Sequence, residues 1–294
     1  MVYRDMSTHT ATVPGATLTY DIHGDASSKG VPLILIGSPM DSTGFMTLQS
    51  YFLDRTTVTV DPRNTGRSVR DEPTSAVTPG QHADDLHAVI NALGAGPVDV
   101  FASSGGAVNA LALVAQYPSD IRLLVAHEPP AGGTLPDREH IHAVCTDMVA
   151  TYDTSGQGPA MAKFIAFVMQ TGEIDSDYLA QPAPDPAAFG LSPIDDGVRT
   201  DPLMSNMRGG AVDFVPDVEA LRSAATEIVI GVGEESGGPT DGEMAGRAAY
   251  AVATLLGREA VVFPSGHAGF LGGEFGQAGK PEEFAAKLRS VLKY

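Results

Sequence analysis

Short apolar segments alternate with longer amphipathic ones along most of this 294-residue chain, and that rhythm restricts the fold more than any other property of the sequence. The run 31–36 is continuously apolar, as expected of a strand buried on both faces, and the strand-length segment 98–102 precedes a stretch of helical length at 105–116. Such alternation predicts an α/β fold with a mostly parallel, eight-stranded sheet flanked by helices. The predicted strands include 17–23, 31–36, 56–60, 98–102, 121–126, 227–231 and 259–263, and the predicted helices are 79–93, 105–116, 244–256 and 281–292.

The rhythm stops for about ninety residues, between Ala131 and Leu221. Apolar residues in this segment recur at helical spacing, as at Ile141, Cys145 and Met148. The strand and helix alternation resumes afterwards, so the chain returns to the same sheet. The sequence therefore predicts a core made of residues 1–130 and 222–294, with residues 131–221 inserted as a helical cap.

The charge balance excludes several classes of partner. There are 18 basic and 36 acidic side chains, giving a net charge of −18, and this acidic excess repels nucleic acid and anionic membranes. No apolar run approaches the roughly 18 residues of a membrane span, and we expect a cytoplasmic protein. Cys145, the single cysteine, is interpreted as a buried apolar residue of a cap helix.

A serine lies at the junction of a predicted strand and helix, in the sequence FASSGG. A nucleophile at such a sharp turn requires very small residues two positions before and two positions after it. Ser104 meets this condition with Ala102 and Gly106, whereas Ser103 would have the bulky Phe101 on one side. The motif predicts Ser104 as a nucleophile, with alanine in place of the more usual glycine.

A base and an acid are expected in the loops that follow other strands, because the carboxyl ends of parallel strands meet at one edge of the sheet. His267 follows the last predicted strand and is the predicted base. Glu128, held between His127 and two prolines, is favoured as the acid that orients the imidazole. Glu235 is the alternative, with Glu234 and Asp241 behind it. Two further histidines, His82 and His87, are predicted on a solvated helix face.

Two backbone amides are expected to stabilise a developing oxyanion. One belongs to Gly105, which follows the nucleophile, and the other to Ser38 in the loop after strand 31–36. Pro39 has no amide hydrogen. The same loop is predicted to direct Met40 toward the substrate.

The cap is rich in methionine and phenylalanine, which provide an adaptable apolar surface for a ligand. Ordinary core packing explains the same spacing equally well. The predicted substrate-binding residues of this region are Phe164, Met169, Leu203, Met204, Met207 and Phe214.

With the GSP loop at 37–39, the turn DPRNTGRS at 61–68, the Ser104 elbow and His267, the chain resembles the α/β-hydrolases over nearly its full length. It departs from them at Ile36, where that loop often carries histidine. The HEPP motif at 127–130 and the cap size resemble a bacterial subgroup that includes lactone hydrolases similar to zearalenone lactonase. The resemblance implies an α/β-hydrolase fold and hydrolysis of an apolar, medium-sized ester or lactone, such as a macrocyclic resorcylic lactone, without a metal or cofactor.

Other functions share these features. A cofactor-free haloperoxidase or a carbon–carbon hydrolase would keep the same triad, and a ligand receptor without catalysis would keep the scaffold. Dehalogenases and epoxide hydrolases of this fold need an aspartate nucleophile, and Ser104 argues against both.

Overall fold

The computed structural model describes residues 6–24 and 30–293. Within them the strands are β1 (Met6–Val13), β2 (Ala16–His23), β3 (Leu33–Ile36), β4 (Thr57–Val60), β5 (Val69–Arg70), β6 (Val98–Ser103), β7 (Ile121–His127), β8 (Glu227–Gly233) and β9 (Val261–Phe263). The helices are α1 (Met46–Ser50), α2 (Pro79–Leu93), α3 (Gly105–Gln116), α4 (Arg138–Ser155), α5 (Gln157–Val168), α6 (Pro202–Arg208), α7 (Val218–Ser223), α8 (Met244–Leu255) and α9 (Pro281–Val291). No helix in these described ranges is long and apolar enough to cross a membrane.

The strands form one sheet in the order β1-β2-β4-β3-β6-β7-β8-β9, and β5 pairs with β2. From β4 to β9 every neighbouring pair is parallel, whereas β2 pairs antiparallel with its neighbours. The predicted α/β architecture is therefore confirmed. The described part of the chain has nine strands, one more than the predicted eight: all seven predicted segments form strands, and β1 and the two-residue β5 are added to them.

Strand β1 is absent from the sequence-based prediction because its residues do not alternate between apolar and polar. Its first five residues are all exposed, and only Ala11 and Val13 are buried. Pairing with β2 over eight residues, from Met6 opposite His23 to Val13 opposite Ala16, makes it a strand. Its conformation thus depends on a partner more than on its own side chains.

Two apolar clusters cover the two faces of the sheet. The larger contains residues from α2, α3 and α8, and the smaller contains the aromatic side chains of Phe45, Phe101 and Phe284 beneath α1 and α9. The start of α2 is as predicted, because the Thr78 hydroxyl accepts a hydrogen bond from the Gln81 amide and Pro79 occupies the first turn.

Between β7 and β8 the chain leaves the sheet and forms a third apolar cluster. Its members come from α4, α5 and α6, together with Met244 and Ala248 of α8. Cys145 is buried in this cluster, and burial raises the pKa of its thiol to about 12. Residue 221, the predicted end of the cap, lies inside α7, and Leu221 packs into the larger core cluster. Helix α7 therefore packs with the core and not with the cap.

A buried ion pair joins this helical layer to the core. Arg247 of α8 donates two hydrogen bonds to Asp137, at 2.7 and 3.1 Å, and one to the Gly172 carbonyl. The side chains of Arg247 and Asp137 are 1 % and 3 % exposed.

We expect Arg247→Met to lower the free energy of unfolding by about 3–5 kcal/mol, because it leaves the buried Asp137 carboxylate without its partner. Urea unfolding measures the loss. Lys280→Met is the control: Lys280 and Glu235 are both about half exposed, and such a pair contributes less than about 1 kcal/mol. Equal losses for the two variants would contradict the structural role given to Arg247.

Candidate active site

Ser104 lies between the last residue of β6 and the first residue of α3. Its φ and ψ angles are 57° and −130°, a conformation that non-glycine residues rarely adopt and that is associated with strain at functional sites. The Ser104 amide donates to the His127 carbonyl at 3.0 Å. The Ser104 hydroxyl does not cap α3. The residue is half-buried and has the backbone geometry of a nucleophile elbow.

Gly105 and Gly106 allow the β3 loop to pack closely against the start of α3. A Cβ atom at Gly105 would lie 2.5 Å from the Ser38 carbonyl oxygen, and one at Gly106 would lie 2.8 Å from the Ile36 carbonyl oxygen. Both distances are shorter than real contacts, so larger residues would force the loop away. This close approach brings Ser38 beside Gly105.

Glu128 and His267 form a direct pair. Nδ1 of His267 donates to Oε2 of Glu128 at 2.6 Å, and the Gly233 amide donates to Oε1 at 2.7 Å. The Glu128 side chain is fully buried, and its φ of 47° is again in the left-handed region. Burial opposes the charge of Glu128, but the hydrogen bond and the charge of His267 outweigh it and lower the pKa of Glu128 to about 2.

The pair also fixes the protonation of the imidazole. Partial burial favours the neutral ring, whereas the hydrogen bond and the charge of Glu128 raise the pKa of His267 above its ordinary value. Because the carboxylate can only accept, Nδ1 carries the proton of the neutral ring. Nε2 is then left with a lone pair that can accept a proton.

The three alternative acids, Glu235, Glu234 and Asp241, make no hydrogen bond to His267. Glu235 is exposed and binds Lys280 at 2.8 Å and the Ser265 hydroxyl at 3.2 Å. Glu234 and Asp241 are also exposed. Arg63 forms a two-pronged ion pair with Asp85, with one hydrogen bond at 2.9 Å, and does not bind Glu128.

His127, beside the acid, is completely buried among Phe101, Phe263 and Phe284. Its ring centre lies 6.3 Å from that of His267. Burial lowers the pKa of His127 to about 4, so the ring is neutral and supports the site by packing.

The structure corrects the expectation for His82. This residue is buried and not solvated, and its Nε2 lies 2.9 Å from Oδ1 of Asn206. The spacing of His82 with Leu86 and Val89 on α2 matches the buried helix face and could have revealed this. Asn206 carried no comparable signal, because its neighbours come from distant parts of the chain.

The predicted substrate-binding residues differ in burial and lie in different apolar clusters of the structure. Met204 is fully buried in the cap cluster, and Met207 is buried beside it. Met169 is 66 % exposed at the end of α5. Phe164, Leu203, Met40 and Phe214 are half-buried; the first two pack on the cap cluster, Met40 on the smaller core cluster and Phe214 on the larger one.

Met204 thus offers no surface to a ligand in this arrangement, because the apolar spacing that predicted binding serves cap packing instead. Within residues 6–24 and 30–293, no group of three or more His, Cys, Asp or Glu side chains is arranged to hold a metal ion.

Comparison with known proteins identifies the family to which this chain belongs. The alpha/beta hydrolase fold family matches residues 32–180, half of the chain. The chain therefore belongs to this family, as the resemblance implied.

A curated relative matches a shorter part of the chain. The chain is similar to the uncharacterized hydrolase YraK of Bacillus subtilis, with 31 % identity over 121 residues, which are 41 % of this chain and 44 % of that protein. The match spans less than half the length of that relative.

Solved structures resemble the chain over nearly its full length. A thermophilic esterase from Thermogutta terrifontis has a TM-score of 0.69 and 18 % identity, with 98 % of each chain covered. The enol-lactonase from Burkholderia xenovorans LB400 has a TM-score of 0.68 and 15 % identity, with 97 % of this chain and all of that one covered. At these identities the likeness establishes the fold.

Proposed function

We propose that this protein is a serine hydrolase that cleaves a carboxylic ester or lactone through an acyl-enzyme. Ser104 attacks the carbonyl carbon, Nε2 of His267 takes the hydroxyl proton, and Glu128 holds the imidazole in the required tautomer. The proton then passes from His267 to the leaving alcohol. Water, deprotonated by the same histidine, releases the acid and restores Ser104.

The observation that carries this proposal is the pairing of a strained Ser104 with an oriented histidine at the same sheet edge. Strand β6 lies beside β7, with Ser103 opposite His127, so Ser104 and Glu128 follow neighbouring positions. Glu128 in turn binds His267. The bond between nucleophile and base is often completed only when substrate binds.

The amides of Ser38 and Gly105 are proposed to form the oxyanion hole, because the two residues lie against each other at the start of α3. Each such donor contributes roughly 3 kcal/mol to transition-state stabilisation. The positive end of the α3 dipole acts in the same direction.

The charges around His267 favour an uncharged substrate. Burial and the negative charge of Glu128 raise the pKa of Glu243, whose charge also acts on His267. An anionic substrate would meet these carboxylates in a partly buried site, where opposing charges are weakly screened. A neutral, apolar ester or lactone avoids that repulsion, and a macrocyclic resorcylic lactone such as zearalenone belongs to this class.

A labelling experiment tests the reaction class. A fluorescent organophosphonate should label the native protein and fail to label Ser104→Ala or His267→Ala. Hydrolysis of p-nitrophenyl esters should be blocked by the same probe. A native protein that binds ligands but resists the probe would instead be a receptor on this scaffold.

A substrate panel tests the substrate class. We expect p-nitrophenyl butyrate to be cleaved faster than a p-nitrophenyl ester with a terminal carboxylate, and zearalenone and smaller lactones to be opened. Chromatography of the ring-opened acids measures the second activity. Preference for a short acyl ester over every lactone would exclude the lactonase assignment while leaving the esterase intact.

The pH dependence follows from the raised pKa of His267. Since only the neutral imidazole accepts a proton, kcat/KM should fall as pH drops through a value above 6.5, the ordinary pKa of histidine. Glu243→Gln should move this inflection to lower pH, because the charge of Glu243 helps to raise the pKa. An inflection that stays in place or rises in this variant would contradict the electrostatics described here. The profile is measured with an uncharged p-nitrophenyl ester.

A further inference from the structure

Ser38 carries a hydroxyl next to its own backbone amide, one of the two proposed oxyanion donors. The residue is buried, with 5 % of its surface exposed. Its Cβ lies 3.4 Å from the position that a Cβ would occupy at Gly105. The Ser38 side chain therefore lies against the backbone of the residue that follows the nucleophile.

A cap residue reaches this hydroxyl. Asn206 of α6 is buried, and its Nδ2 donates to Oγ of Ser38 at 3.0 Å. On its other side Oδ1 of Asn206 contacts Nε2 of His82. The three side chains form a continuous line from α2 through the cap to the β3 loop.

The donor and acceptor groups of His82, Asn206 and Ser38 fix the direction of each hydrogen bond between them. The Asn206 amide oxygen only accepts, so Nε2 of His82 must carry its proton. Burial lowers the pKa of His82 to about 4, which leaves one proton on the neutral ring at ordinary pH. The Asn206 nitrogen only donates, so Oγ of Ser38 accepts, and the proton of the Ser38 hydroxyl remains free for another acceptor.

We propose that the Ser38 hydroxyl is a third donor to the oxyanion, added to the amides of Ser38 and Gly105 and oriented by Asn206 and His82. The inference rests on the proposed hydrolase function. The hydroxyl keeps its proton throughout and donates a hydrogen bond that strengthens as charge develops on the carbonyl oxygen. Ser38 is the catalytic residue here, and Asn206 and His82 are positioning residues.

The third donor depends on the cap, because Asn206 belongs to α6 and α6 is held against the core by contacts of its own. Ser205, next to Asn206, accepts at its carbonyl from the Val77 amide at 3.0 Å and binds Arg70 through its hydroxyl at 2.8 Å. These contacts hold α6 on the core independently of Ser38. Ser205 therefore provides a matched control on the same helix.

Steady-state hydrolysis of p-nitrophenyl butyrate by the full chain tests the proposal. Ser38→Ala should lower kcat about 10²-fold, within the range for one lost oxyanion donor, with little change in KM. Asn206→Ala should lower kcat about tenfold, and the double variant should be no slower than Ser38→Ala alone, because both changes remove one interaction. Ser205→Ala should lose thermal stability without this loss of kcat.

Asn206→Asp separates orientation from simple packing. The carboxylate keeps the shape of the amide but can only accept, so the Ser38 hydroxyl donates its hydrogen bond to the carboxylate and no longer to the substrate. We expect kcat to fall at least as far as in Asn206→Ala. If Asn206→Ala does not fold, Ser38→Ala and Asn206→Asp decide the question.

Two outcomes would overturn the third donor: an unchanged kcat in Ser38→Ala, or an equal loss of kcat in Ser205→Ala and Asn206→Ala. Failure of the underlying hydrolase function looks different. In that case Ser104→Ala would retain the native rate, whatever Ser38→Ala does.

Discussion

Ser104→Ala should lower kcat for an activated ester by about 10⁶-fold, the loss seen when the nucleophile of a serine hydrolase is removed. The hydroxyl forms the acyl-enzyme, and no neighbouring side chain in the described site can take its place: Ser103 is buried on the last position of β6. Residual turnover would come from the oxyanion donors and from binding, which act without the nucleophile. Stopped assays at high enzyme concentration measure so slow a rate.

Ser103→Ala is the matched control for this variant. It removes a hydroxyl one residue away, and we expect its kcat to stay within a few-fold of the native value. Thermal unfolding of both variants checks that the sheet is intact. Retained activity in Ser104→Ala, together with loss in Ser103→Ala, would move the nucleophile to the other serine and overturn the elbow assignment.

Glu128→Gln should lower kcat by about 10⁴-fold, as in a serine triad whose acid becomes an amide. The direction of the amide is fixed by the structure. The Gly233 amide donates to Oε1 of Glu128, so the glutamine oxygen should remain there and its NH₂ group should face Nδ1 of His267. Nδ1 must then accept, the ring proton moves to Nε2, and the histidine can no longer take the Ser104 proton.

Glu235→Gln provides the comparison that separates the two acids. Glu235 is exposed and bound to Lys280, so we expect kcat close to the native value. The same p-nitrophenyl ester measures both variants, with thermal unfolding as the check on folding. A large loss confined to Glu235→Gln would show that the triad acid is not Glu128.

Much of the scaffold was predictable because it depends on local patterns. Buried parallel strands appear as continuous apolar runs, as in β3 and β6, and the Thr78 cap marks the start of α2 by side-chain chemistry within four residues. The elbow was readable for the same reason, since the small residues around Ser104 satisfy a steric condition of one tight turn.

Contacts between segments that are distant in the chain were harder to predict from the sequence. Met204 and Met207 have the spacing expected of either a ligand surface or a packed helix, and only the neighbouring helices decide that they are buried. His82 lies on α2 at a position that α6 covers, so its burial depends on the cap. β1 depends in the same way on its pairing with β2.

The sequence by itself determined the order of strands and helices, the elbow at Ser104 and the placement of His267 after the last strand, because these follow from periodicity and from the sterics of adjacent residues. Only the tertiary structure decided which carboxylate meets His267, since Glu128 and Glu235 both follow strands at the same edge of the sheet. The tertiary structure alone also brought Asn206 into contact with Ser38, which lies 168 positions away in the chain. Side-chain direction and long-range packing settle such pairings, and neither is contained in the local pattern of the residues involved.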